Sequence, residues 1–292
     1  MIHNYVKHLM SNLPKTSVIP KQINLVLSGG AFNGSYMLGS LYYLKELENL
    51  KKLKIKKISG SSIGSILGLL YIADKLDLFV DLYKSYFDDF VKNKNLSKLL
   101  NFKNIIKDEL PKNICDLVNK RFYITFHNLQ SGKKEIKHTY KNVDELLDCI
   151  IRSCYVPFLI DYSPAYKNKY IDGVLPYFFK ERTNRKVLYI NVLTHDKYKH
   201  ILNVKNETTN LHRVLSGMND IHLFFIKNKN TQMCSYTDRW SIYEYFMYTL
   251  IRIIEISCFY IMCIIKDIAC TETFNHIIKN VITTLFIKLS LI

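Results

Sequence analysis

Two glycine-bearing turns, each set between a short apolar run and a helix-like stretch, limit what this chain can fold into more than any other feature. The first follows INLVL, Ile23 to Leu27, a run short and apolar enough for a buried strand, and reads Ser28-Gly29-Gly30-Ala31-Phe32-Asn33-Gly34. Beyond it Leu38, Leu41, Leu44 and Leu47 recur every three residues with Lys45, Glu46 and Glu48 between them, which predicts an amphipathic helix ending near Leu50. The second turn follows KIKKIS, Lys54 to Ser59, and reads Gly60-Ser61-Ser62-Ile63-Gly64 before another apolar helix, SILGLLYIADKL. Strand, loop, helix, strand, turn, helix is the order of an α/β fold with a parallel sheet. Its loops then lie at the carboxyl ends of the strands, where open sheets of this kind place their sites.

The remaining chain fits the same class. The stretch from Asp77 to Asn119 is helical in pattern, and RFYITFHN (from Arg121) and Lys134 to Tyr140 alternate as two strands joined by a turn at Ser131-Gly132. Val143 to Cys154 predicts a helix, KYIDG a short strand delivering Asp172 into a turn, and VLYINVL, from Val187, another buried strand. No Pro/Gly/Ser-rich linker divides the chain, so it reads as one domain over residues 1–230 with an apolar helical extension over 231–292. Within that extension Phe246 to Ile265 is strongly apolar but interrupted by Arg252 and Glu255, one turn apart and able to pair. A segment of this kind spans a membrane, lies in its interface or docks on the core. Val281 to Ile292 is too short to span alone.

Composition narrows the setting. A formal net charge of +16 favours a polyanionic surface such as nucleic acid or an anionic membrane without choosing between them, and no nucleic-acid module surrounds the densest basic run, Lys51 to Lys57. The same run also suits an ordinary solvated face. Seven cysteines, an odd number without metal-site spacing, suggest reduced thiols inside the cell, and His3, Asn4, Lys7 and His8 break any apolar leader in the first 14 residues. The expected location is therefore intracellular, cytoplasmic or peripheral to a membrane. No metal or organic cofactor is implied, and no acidic cluster suggests calcium. Oligomeric state is not fixed by these patterns.

Gly60-x-Ser62-x-Gly64 between strand and helix has the form of a nucleophile elbow, in which small neighbours allow the sharp turn that exposes a serine hydroxyl. The same glycines also serve any close turn. An attacking serine needs a base and backbone donors for the oxyanion, and the Gly29-Gly30 loop, with a helix N-terminus behind it, can supply the donors. It matches neither a phosphate-binding P-loop nor a dinucleotide fingerprint, since Ala31 stands at the second glycine position of the latter. Four segments, LSGGAFNGSYMLGSLYYL, GSSIG, RSCYVPFL and YIDGV, occurring in this order between roughly Ile23 and Pro176, resemble the motifs of patatin-like phospholipases. The resemblance implies a three-layer α/β fold, a mostly parallel sheet flanked by helices, and a Ser-Asp dyad that cleaves acyl esters of lipids. It implies Ser62 as nucleophile, Asp172 as base, Gly60 and Gly64 as the elbow, and the amides of Gly29, Gly30 and Ala31 as oxyanion donors.

The chain departs from the family pattern in three places. Ala31 replaces a third consecutive glycine, Asn33 replaces a Lys or Arg and so removes a positive charge near the oxyanion, and Val174 follows Asp172-Gly173 where the family has Gly or Ala. Ala31 and Asn33 motivate a second reading, a catalytically weak relative that binds lipid or membrane without turnover. A third uses His195, which follows VLYINVLT and would complete the order Ser62, Asp172, His195 of an ordinary Ser-Asp-His esterase, although the position equally suits a loop histidine. Cys154 and Tyr155, in RSCYVPFL, suit a substrate wall in the family's arrangement and core packing around Pro157 without it.

Overall fold

A computed structural model describes residues 1–180, 185–203, 207, 209–269, 277–281 and 284. In chain order its helices and strands are α1 (Ile2–Ser11), β1 (Gln22–Leu27), α2 (Gly34–Asn49), β2 (Lys54–Gly60), α3 (Ile63–Ile72) and α4 (Leu78–Asn93). These are followed by α5 (Phe102–Ile106), α6 (Ile114–Val118), β3 (Phe122–Asn128), β4 (Lys133–Lys137) and α7 (Val143–Cys154). Last come β5 (Tyr170–Asp172), β6 (Lys186–Ile190), α8 (Leu211–Lys227), β7 (Cys234–Tyr236) and α9 (Ile242–Ala269).

The strands form one sheet in the order β4-β3-β2-β1-β6-β7, with β5 also paired to β3. The four central strands are parallel, because helices carry the chain from the end of one back to the start of the next. The antiparallel members lie at the margins: β4, joined to β3 through a turn at Gly132 (φ 65°), β5 on β3, and β7 on β6. This is the mostly parallel α/β sheet expected. It also takes in a strand, β7, from beyond residue 230.

Side chains alternate across a strand, so β1 sends Ile23, Leu25 and Leu27 to one face and Val26 to the other. The first face packs into the main core with buried residues of α2, α3, α7 and α8, such as Leu41, Leu67, Ile150 and Met218. On the second face Val26, Val187 and Tyr189 meet Phe178, Phe179 and Trp240, and farther along His127 of β3 stacks on Phe259 of α9. That second face is covered by the 175–180 segment and α9.

Candidate active site

Ser62 stands at the end of β2 as the residue preceding α3, with φ 52° and ψ −130°, a conformation an L-residue adopts only when its surroundings impose it. The surroundings do so through near contact of backbones. A Cβ on Gly60 would lie 2.4 Å from the Gly64 carbonyl oxygen, and one on Gly64 would lie 2.6 Å from the carbonyl oxygens of Leu27 and Ser28. Only glycines permit this crossing of the elbow with the end of β1. The amide of Ser62 donates to the Ser153 carbonyl at 3.1 Å and its hydroxyl at 3.0 Å, which ties the elbow to α7.

Asp172 ends β5, where its amide donates to the Tyr155 carbonyl at 2.8 Å and its strand register places it opposite Phe126. The chain needs a glycine next, since a Cβ on Gly173 would come 2.3 Å from the Thr125 carbonyl oxygen. The carboxylate accepts a hydrogen bond from the Val174 amide at 2.7 Å. Burial raises its pKa from 3.8 to about 7 against the opposing pull of the Ser62 hydroxyl and the Val174 amide, with the Glu255 carboxylate adding to the rise and Lys134 opposing it. A carboxylate so placed is a far stronger base than a solvated one.

The glycine-rich turn meets the serine from the other side. A Cβ on Gly29 would sit 3.2 Å from that of Ser62. Among the described residues the amides of Gly29, Gly30 and Ala31 donate to no protein acceptor, and all three residues line the same cavity of about 360 Å³ as Ser62 and Asp172. A second, almost wholly apolar cavity of about 80 Å³ also reaches Ser62 and Ala31, walled by Phe79, Tyr83, Tyr86 and Cys154. Two spaces therefore converge on one hydroxyl, and Cys154 lines the smaller. Tyr155 lies instead in the core, its hydroxyl bonded to Asp161.

Asn33 is held by partners from distant parts of the chain. The buried Asn33 amide group donates to the carbonyls of Val192 (3.0 Å) and Lys197 (2.9 Å), and its oxygen accepts from Arg213 at 3.0 Å. Arg213, on α8, is fully buried, paired with Glu207 and bonded to the carbonyls of His200 and Asn203. A guanidinium thus stands behind the loop although the loop itself carries no cation.

His127 and Lys134, which carried no signal in the sequence, and Glu255, for which the sequence suggested another partner, complete the surroundings of Asp172. Glu255 of α9, only 5% exposed, accepts from Lys134 at 2.6 Å and lies 3.0 Å from Nε2 of His127. Lys134 also donates to the carbonyls of Gly173 (2.9 Å) and Leu175 (2.7 Å), the two ends of the turn that follows Asp172. Glu255 therefore turns inward to these partners and does not pair with Arg252 as its spacing had suggested. His195 is not brought to the pair: it is exposed, packs on Tyr198, and lines a different cavity with Thr231 and Glu244.

Comparison with known proteins places these features in a family. A family model described as patatin-like phospholipase matches residues 25–179, just over half the chain, including both glycine turns and Asp172. The 1-acylglycerol-3-phosphate O-acyltransferase Pnpla3 of Mus musculus is 20% identical over 164 residues, covering 51% of this chain and 38% of that protein. The 1-acylglycerol-3-phosphate O-acyltransferase PNPLA3 of Homo sapiens is 25% identical over 164 residues, covering 51% and 33%. The match thus takes in well under half the length of either relative.

Proposed function

Because this chain belongs to the patatin-like phospholipase family, we propose that it is a lipid acyl hydrolase in which Ser62 attacks the acyl ester and Asp172 is its base. The observation that carries the reading is that Ser62 and a buried Asp172 carboxylate line one cavity together with three unengaged backbone amides. In the first step Asp172 accepts the hydroxyl proton as Oγ bonds to the ester carbon, and the amides of Gly29, Gly30 and Ala31 receive the developing oxyanion. Collapse of the tetrahedral intermediate breaks the ester bond, and the departing alcohol takes the proton from Asp172. Water then attacks the acyl-serine carbonyl with Asp172 again as base, and as the bond to Ser62 Oγ breaks Oγ takes that proton back from Asp172, releasing fatty acid and restoring both side chains. The two apolar cavities that meet at Ser62 suit an acyl chain and the remainder of a glycerolipid.

The acyl-serine can also pass to a lipid alcohol in place of water, and both relatives are named as 1-acylglycerol-3-phosphate O-acyltransferases. The net charge of +16 and the apolar α9 support work at an anionic membrane or lipid-droplet surface, with the protein peripheral to it inside the cell. The test is fatty-acid release from phospholipid, lysophospholipid and triacylglycerol vesicles, with and without added lysophosphatidate as acyl acceptor. Ser62→Ala and Asp172→Asn, each checked for folding, are expected to lose at least about a thousandfold in kcat. Folded wild type that releases and transfers no acyl group above the Ser62→Ala background would leave the non-turnover, lipid-binding reading in its place. Full activity in His195→Ala is expected, and its loss would restore the triad.

A further inference from the structure

Helix α9 has two faces with different company. Taking 100° per residue, Tyr248, Glu255, Phe259 and Met262 fall within about 60° of one another. Tyr248 packs on Phe178, Glu255 joins His127 and Lys134, and Phe259 and Met262 are buried against Leu129, Ala165 and Ile171. Three of these, Glu255, Phe259 and Met262, also form one wall of the cavity that holds Ser62 and Asp172. On the opposite side of the same helix Phe246, Leu250, Ile253, Tyr260, Ile261 and Ile264 are exposed, Ile264 at 75%. Over Ile242–Lys266 the helix has a mean hydropathy of 1.8 and only 17% of its most apolar window is buried. An apolar strip this long on a monomer marks an interaction surface.

From this placement we infer that the outer face of α9 docks on the surface of an anionic lipid bilayer, lying in its interface, so that the wall of the catalytic cavity is itself the docking element. Three observations select this occupant. Arg252 and Lys180, both exposed, line a further cavity of about 420 Å³ beside α9, and the chain as a whole carries +16, complementary to phosphate head groups. The face is continuous with the cavity to which lipid must come. Insertion of α9 across the bilayer would strip Glu255 from His127 and Lys134 and leave it in hydrocarbon, whereas interfacial docking leaves those contacts intact. The inference depends on the lipid-hydrolase reading only for what the docked cavity receives, and the surface itself is testable without turnover.

Trp240, the single tryptophan, sits just before α9 against Phe178 and Tyr245 and serves as a native reporter. Binding to vesicles of phosphatidylcholine and phosphatidylserine is measured by sedimentation and by Trp240 emission, for wild type, Ser62→Ala and the double variant Ile253→Glu/Ile264→Glu. Both changed side chains face away from the cavity, so the fold and hydrolysis of a soluble short-chain ester should stay within about twofold, while vesicle partitioning falls at least about tenfold. Partitioning of the double variant equal to wild type would overturn the inference. So would retention on the vesicles after alkaline carbonate, which indicates a spanning helix, or a wild-type dimer that the double variant dissociates, which makes a second copy the occupant. Vesicle binding shared by wild type and Ser62→Ala, with no ester hydrolysed by either, would sink the catalytic reading and leave the docking surface standing.

Discussion

Three non-glycine residues with positive φ converge on one cavity: Ala31 at 43°, Ser62 at 52° and Val174 at 45°. For Ser62 the strain positions the hydroxyl proposed as nucleophile. For Val174, whose β-branched side chain suits this region least, it positions only an amide, the donor to Asp172. Left-handed backbone at such a residue costs about 1–3 kcal/mol, partly offset by the chain entropy a glycine would add. Val174→Gly is therefore expected to raise the unfolding free energy by about 1 kcal/mol in urea titrations while activity persists. Asp172 bears a second cost. Its folded pKa of about 7 lies above the ordinary 3.8, so ionisation opposes folding, by nothing below about pH 4, increasingly up to pH 7, and fully above it. Asp172→Asn escapes that cost. Thermal unfolding should find it more stable than wild type at pH 8, by an amount on the order of 2 kcal/mol that shrinks to nothing near pH 4, although it is inactive. In the wild type the acid limb of kcat/KM should fall near pH 7, because Asp172 must be ionised to act.

Among elements the closest approach is that of α2 and α8. A Cβ on Gly39 would lie 1.9 Å from the Val214 carbonyl oxygen, and one on Gly217 would lie 1.8 Å from that of Tyr36. The Ser40 hydroxyl, at the crossing, donates to the Gly217 carbonyl at 3.0 Å. Backbones in contact have no side chain that could give way, so a methyl group there must push the helices apart. Gly217→Ala is expected to cost about 3 kcal/mol or more, read as a lower urea midpoint. Because α2 carries the glycine-rich turn at its start, and α8 carries Arg213 against Asn33, residual folded protein should also turn over more slowly than wild type.

For the molecule as a whole, what could be read from sequence is what lies close together in the chain. The two turns and the short strand at Asp172 announced themselves because their glycines, apolar runs and spacing are local, and the α/β class followed from their order. His127 and Lys134 were silent, since they meet Glu255 beside Asp172 only through the packing of β3, β4 and α9. Local spacing even misled at Glu255, whose neighbour Arg252 looked like its counterion until burial favoured Lys134. Arg213 was hidden for the same reason, its link to Asn33 spanning 180 positions. His195 fitted an order of residues but not a place, and β7, at three residues, was too short to show a period. That long reach has a consequence in time. A ribosome adding about 5–20 residues each second makes Ser62, the glycine-rich turn and Asp172 well before it reaches Glu255, roughly 4 to 17 s later. During that interval a nascent chain presents Lys134 without its carboxylate, the apolar floor of Leu129 and Ile171 uncovered, and β6 without β7 along its free edge. The protein's most exposed moment in the crowded cell is thus the gap in its own synthesis between Asp172 and the α9 cover, when a passing chaperone would find the cavity open.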